Sequence, residues 1–189
     1  MLTDEPQWIA VYTRPRAEKM VAARFTEAGL ETYLPLIKEK HHWSDRIKLV
    51  EEPLFKSYVF VKITKRDQIK TRETNGVVCL VYFGKPGPES IATIPDQQIE
   101  DMRQMIAVSE QVYVHQTEML KKGATVTIQE GAFAGMTGTL VSDCKDGNFS
   151  INIEALSLSI VTEVNQLILT PTTVEDNHKE QQKKQRYTL

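Results

Sequence analysis

Cysteine is scarce in this chain: Cys79 and Cys144 are the only two in 189 residues, and neither has a partner at C-x-x-C spacing. That excludes a disulfide framework and a zinc site of the usual spacing, and the two read as free thiols of a reducing cytoplasm. Long apolar runs are missing too, and the N-terminal Met-Leu-Thr-Asp-Glu-Pro has neither a basic flank nor an apolar stretch behind it. No membrane association and no secretion are therefore expected. Nor is there an excess of one charge: 23 Lys and Arg against 25 Asp and Glu leave a formal net charge of -2. Bulk attraction to nucleic acid is absent, so any such contact has to be a local patch. There is no P-loop and no G-x-S-x-G, and His41-His42 has no ligand set beside it. Neither an enzyme, a cofactor nor a metal is expected.

What is present divides into two patterns. Gln7 to Thr13 alternates as a strand, and Pro15 fits the first position of a helix that Gly29 ends, with Ala17, Val21, Phe25 and Ala28 on one face and Arg16, Lys19, Ala23 and Glu27 on the other. Residues 31 to 38 and 47 to 55 read as strands around a charged excursion, Lys38 to Arg46, that has the look of a protruding hairpin. Ser57 to Ile63 is aromatic and β-branched throughout, the clearest strand of the chain. A helix from about Lys65 to Thr74 has Thr64 as its cap, with Asp67 three residues on, and closes at Asn75-Gly76. The strand Val77 to Phe83 and a third helix begun by Ile94-Pro95-Asp96, with Ile99, Met102 and Ile106 on one face, complete an α+β unit over residues 7–108.

Residues 109–121 lack apolar periodicity and read as a linker. From 122 to 171 all signals are strand signals. Val126 and Ile128 alternate with polar residues, Gly131, Gly135 and Gly138 punctuate a tight turn and the strand after it, Asp146-Gly147-Asn148 is a hairpin turn, and two alternating runs follow. Four or five short strands in so few residues close as a small barrel. The polar segment 172–189 reads as a disordered tail.

The stretch Lys122-Gly123 to Leu140-Val141, with its three glycines, has the spacing of a KOW motif. Together with Trp8-Ile9-Ala10-Val11-Tyr12, Glu52-Pro53-Leu54-Phe55 running into Tyr58-Val59-Phe60-Val61, and Gly76-Val77 to Phe83-Gly84, it resembles the NusG family of transcription elongation factors, an N-terminal NGN domain linked to an SH3-like KOW barrel. Where housekeeping members carry Pro-Gly before the central tyrosine, this chain has Lys56-Ser57, and it is more similar to specialised antiterminators of the RfaH and UpxY type, the latter tied to capsular polysaccharide operons.

The resemblance implies a monomer that docks an apolar patch on the clamp helices of bacterial RNA polymerase, bridges the cleft and suppresses pausing and termination. Tyr12, Phe55, Tyr58, Phe60, Leu80 and Phe83 match the patch; each alone also fits a sheet core, but one helix cannot cover aromatics on both faces, so an exposed patch is expected. Arg14, Arg16, Lys19, Arg24, Thr74 and Asn75 fall where the family contacts the non-template DNA strand or a nascent RNA leader, although Arg16 and Lys19 also fit a solvated helix face. Lys70 to Glu73 stands in place of the hydroxyl-rich run that some paralogues aim at the opposite side of the cleft. Leu156 and Ile128 match positions through which the barrel meets a small-subunit ribosomal protein or Rho, and alternation favours the barrel core for Ile128. The Ile-, Val-, Thr- and Ser-rich segment 149–170 favours strand over helix, so a barrel that does not refold as a helical hairpin is expected. The competing class is a KOW-bearing ribosome- or RNA-binding protein without effect on polymerase, which calls for basic extensions and a pI well above the 6.1 of this chain.

Overall fold

The computed structural model describes residues 2–42, 46–87, 89–109, 112–116, 122–129, 131–141, 148–163 and 169–171. The tail 172–189, Cys144, the Asp146-Gly147 turn and part of the 109–121 segment lie outside the described residues.

The first unit is an antiparallel sheet built around β1 (Gln7–Thr13), whose alternation is that of a strand with both faces covered. On one side β1 pairs with β5 (Tyr58–Ile63), Ala10 opposite Phe60 and Tyr12 opposite Tyr58; beyond β5 lies the short β2 (Glu31–Tyr33). On the other side β1 pairs with β6 (Val77–Leu80) near its end and with β7 (Thr93–Ile94) near its start. The period-2 rule then sends Ile9, Val11, Val59 and Val61 to one face and Trp8, Ala10 and Phe60 to the other.

Each face has its own helix. α1 (Glu18–Glu27) lays Val21 and Phe25 on the first, where they join Ile9, Val11, Val59, Val61, Ile63 and Leu80 in one apolar cluster. α3 (Asp96–Val108) lays Ile99, Met102 and Met105 on the second, over Trp8, Ala10 and Phe60. Arg103 of α3 holds its guanidinium 5.7 Å from the centre of the Trp8 ring and 4.9 Å from that of Tyr33, which pins the helix to the edge of the sheet. Burial pushes the Tyr33 phenol up to about 12, with Arg103 opposing the shift.

Two local features depart from the sequence reading. The first helix begins at Glu18 rather than at Pro15, because Arg16 takes a left-handed conformation at φ 64° and breaks the turn before it. Ser57 is left-handed as well, at φ 66°. The buried carboxylate of Glu18 accepts its N–H at 2.6 Å, and its carbonyl accepts the Thr13 N–H at 2.8 Å, so two bonds hold a conformation that serine does not favour. The second helix is split into a 3-10 turn, Lys65–Asp67, and α2 (Gln68–Glu73). Its cap is as expected, with the Thr64 N–H donating to Asp67 Oδ2 at 3.0 Å and the Thr64 hydroxyl to the same oxygen at 2.7 Å. The charged excursion is a long ribbon, β3 (Leu36–His42) paired with β4 (Ile47–Pro53) from Leu36↔Pro53 out to His42↔Ile47.

The second unit is a six-stranded antiparallel sheet in the order β13, β9, β10, β11, β12, β8, from β8 (Tyr113–Gln116), β9 (Lys122–Ile128), β10 (Thr137–Val141), β11 (Asn148–Ile153), β12 (Leu158–Glu163) and β13 (Leu169–Pro171). The segment read as linker thus contributes a strand, with Ile160 opposite Val114 and Leu158 opposite Gln116. Its apolar periodicity is too short to see in the sequence because only four residues pair. The described part of 149–170 is strand and one 3-10 turn, as the β-branched composition requires. Val126, Ile128, Met136, Phe149, Ile151, Ile153 and Ile160 fill its interior. That interior is continuous with the core under α3, and the Gln98 side-chain amide donates to the Asn152 carbonyl at 2.6 Å across the seam.

Candidate functional site

The aromatic positions of the first unit part company once the two helices are in place. Phe60 is fully buried beneath α3, Phe55 packs edge-on against it at 5.5 Å between ring centres, and Leu80 is buried on the opposite face with the α1 residues. These three offer no surface. α1 covers one face of the sheet and α3 the other, so Phe55, Phe60 and Leu80 take the sheet-core alternative and the expected exposed patch is left to the remaining positions. What stays open is the end of the sheet. Tyr12, 38% exposed, and the half-buried Tyr58 stand opposite each other across the strand pair, their rings edge to face at 5.3 Å. Cys79, exposed and opposite Tyr12 on the other side, belongs to the same patch. Burial raises the Tyr58 phenol above its ordinary value, and Tyr12 and Cys79 add to the rise. Sequence reasoning passed over Cys79 as a site residue, because its place opposite Tyr12 depends on the register of β6 against β1, which only the fold sets.

Phe83 is 51% exposed but does not join this pair. It lies on the loop after β6, where its N–H donates to the Ser90 carbonyl at 2.7 Å, and it lines a cavity of about 520 Å³ with Trp8, Ile94 and Ala155 at the seam between the units. Trp8 and Tyr12 are four residues apart on β1, so the two ends of the strand are separated by roughly 13 Å.

The polar candidates form two groups. Around the turn at Gly76 the Arg14 N–H donates to the Gly76 carbonyl at 2.9 Å, the Arg24 guanidinium to the Asn75 carbonyl, and the Thr74 hydroxyl to the Lys70 carbonyl at 2.9 Å. Arg14, Arg24, Thr74 and Asn75, far apart in sequence, are therefore assembled on one surface. Gly76 makes this possible: at φ 100° it is left-handed, and a Cβ there would sit 2.7 Å from Val21 Cγ2, so only glycine lets the turn lie against α1. Arg16 and Lys19 go elsewhere. They line a separate groove with Glu39, Glu52 and Lys56 at the root of the β3–β4 ribbon, where Lys19 Nζ donates to the Glu51 carbonyl at 2.7 Å. The mixed charges of that groove weaken any field for phosphate.

In the barrel Ile128 is fully buried and is a core residue, whereas Leu156 is half-buried in the turn before β12. Gly131 and Gly135 are left-handed at φ 83° and 88°, and Gly135 N–H closes the turn on the Ile128 carbonyl at 2.8 Å. Gly138 serves another purpose: a Cβ there would collide with the Ser150 carbonyl and lie 2.5 Å from Phe149 Cζ.

The family model described as transcription termination factor nusG matches residues 6–103, more than half of the chain and nearly the whole first unit. This chain belongs to the NusG family. Membership makes it a transcription factor of the elongation stage, and the matched span holds both the tyrosine pair and the Gly76 cluster. Among solved structures, the chain is similar to one titled "Domain interaction in Thermotoga maritima NusG", with 15% identity, TM-score 0.48, and coverage of 88% of this chain and 97% of that one. It is also similar to the "MjSpt4:Spt5 complex conformation A", with 19% identity, TM-score 0.28, and coverage of 87% and 97%. Comparison with curated proteins gives no match.

Proposed function

We propose that this NusG-family chain is an antitermination factor that docks its first unit on the clamp helices of bacterial RNA polymerase, bridges the cleft and suppresses pausing and termination in a specific operon, of which a polysaccharide operon is one candidate. The observation that carries this reading is the Tyr12–Tyr58 pair, two large aromatic rings left open at the end of an otherwise covered sheet. Exposed apolar groups of that size in register are what a partner helix needs as an anchor. Arg14, Arg24, Thr74 and Asn75 contact the displaced non-template strand or the nascent leader, supplying salt-dependent affinity. The barrel then recruits a small-subunit ribosomal protein or Rho through Leu156.

The test is multi-round transcription by the cognate polymerase on the leader of the operon encoding this protein, with wild type, Tyr58→Ala and Arg14→Ala compared. Read-through that rises with wild type and is lost in Tyr58→Ala supports the reading, and an Arg14→Ala defect confined to that leader supports strand recognition. An unchanged pattern of pausing and termination with wild type would overturn it in favour of a ribosome- or RNA-binding protein.

A further inference from the structure

Glu18, 5% exposed at the first position of α1, is the one buried carboxylate among the described residues. A carboxylate in that position has lost water, which costs free energy unless a donor takes its place. The donor is the Ser57 N–H, 2.6 Å from Glu18 Oε1 and 39 residues along the chain. Ser57 is the third residue of a tight turn, Phe55 to Tyr58, in which the Tyr58 N–H donates to the Phe55 carbonyl at 3.2 Å. At that place in a turn a positive φ is normally supplied by glycine or asparagine. Here a serine holds φ at 66°, although its Cβ disfavours the left-handed region.

That turn reaches both open rings. Ser57 directly precedes Tyr58, and its carbonyl accepts the N–H of Thr13, the residue after Tyr12, at 2.8 Å. The backbone at Ser57 therefore sets how the start of β5 lies against the end of β1, and with it the edge-to-face contact of the two rings at 5.3 Å. We infer that Glu18 is a positioning residue for the Tyr12–Tyr58 pair: its carboxylate holds Ser57 left-handed and so presents the two rings together to the partner. Being buried, Glu18 does not meet that partner itself. This role rests on the docking of the tyrosine pair on polymerase and adds to it a residue that acts through the backbone. If the carboxylate is removed, Ser57 is free to relax to negative φ, the peptide before Tyr58 turns, and the rings separate. A glycine at position 57 would not need the carboxylate, because it takes positive φ without a Cβ penalty.

The experiment is a double-mutant cycle on the full chain with wild type, Glu18→Ala, Ser57→Gly and the two combined, and with Glu18→Gln as the conservative variant. Affinity for the cognate core RNA polymerase is measured beside the nuclear Overhauser contact between the Tyr12 and Tyr58 rings in the free protein, at a temperature where circular dichroism shows every variant folded. Glu18→Ala should weaken binding about tenfold, as the release of one strained residue does, and should abolish the ring contact. Glu18→Gln keeps a neutral acceptor and should lose only about threefold. Ser57→Gly should bind within about twofold of wild type, and in its background Glu18→Ala should cost less than about twofold, with the ring contact restored. If Glu18→Ala weakens binding equally with serine or glycine at position 57, the carboxylate serves only the packing of α1 and the inference falls, with docking intact. If Glu18→Ala binds like wild type, the inference falls as well. If wild type does not bind polymerase, the docking reading falls, and the ring contact alone decides whether Glu18 holds the pair: its persistence in Glu18→Ala overturns the inference.

Discussion

The two units of this chain solve the same problem, covering an antiparallel sheet, in different ways. The first spends a helix on each face, so Val21 and Phe25 seal one side and Ile99, Met102 and Met105 the other. The second unit fills the inside of its six-stranded sheet with side chains that strand alternation points inward. The difference decides where function can sit. In the first unit the tyrosine pair and the Gly76 turn lie at the ends of strands, beyond what the helices cover. In the second unit the strands provide the core, and the half-buried Leu156 sits in the turn before β12.

The comparison breaks first at Phe60. Phe60→Ala removes a fully buried ring from beneath α3 and should destabilise the first unit by about 3–5 kcal/mol. Tyr58→Ala, two residues away on the same face, should cost far less stability and act mainly on polymerase binding. Chemical denaturation of both variants, set beside their transcription activity, separates cover from contact; equal destabilisation would show that Tyr58 is a core residue after all.

A smaller effect isolates the barrel. Gly138→Ala places a methyl against Phe149 and the Ser150 carbonyl, and should destabilise the barrel by about 1–3 kcal/mol while leaving the β1–β5 sheet intact. Hydrogen exchange on the full chain should show faster opening in β9–β11 and unchanged protection in β1 and β5. Uniform loss of protection in both units would mean that the continuous core across the seam makes them a single cooperative unit.

The smallest effect concerns pH. Tyr33 has its phenol pushed up from 10.0 to about 12 by burial against α3. A group whose folded pKa is raised contributes stability that is present below the unfolded value and lost as pH rises through the folded one. Stability should therefore decline between about pH 10 and 12, and Tyr33→Phe should flatten that decline. Melting curves across this range are the check, and an identical slope in the variant would assign the loss to other groups.

Much of the fold was legible in local pattern. The strand Ser57 to Ile63, the Thr64 cap, the helix opened by Pro95-Asp96 and the glycine-punctuated turn of the barrel each carry their signal within a few residues, because backbone propensity and capping are short-range effects. Strand β8 carried none, since four residues with two apolar side chains do not make a period. Of the candidate site, the residue types were readable and their exposure was not. Tyr58 and Phe60 look alike in sequence and point to the same face; only the placement of α3 makes one half-open and the other closed.

By itself, the sequence determined most of the element types, the order of an α+β unit before an all-strand unit, and the placing of glycine at several of the left-handed turns. Those follow from side-chain periodicity and from the steric limits of single residues. Tertiary structure decided which aromatics are surface, how Arg14 and Arg24 come to border one turn with Thr74 and Asn75, and why Arg16 and Lys19 do not. The physical reason is that exposure and juxtaposition depend on which element covers which face, and that is settled by packing between segments far apart in the chain, as when Arg24 reaches Asn75, 51 residues on.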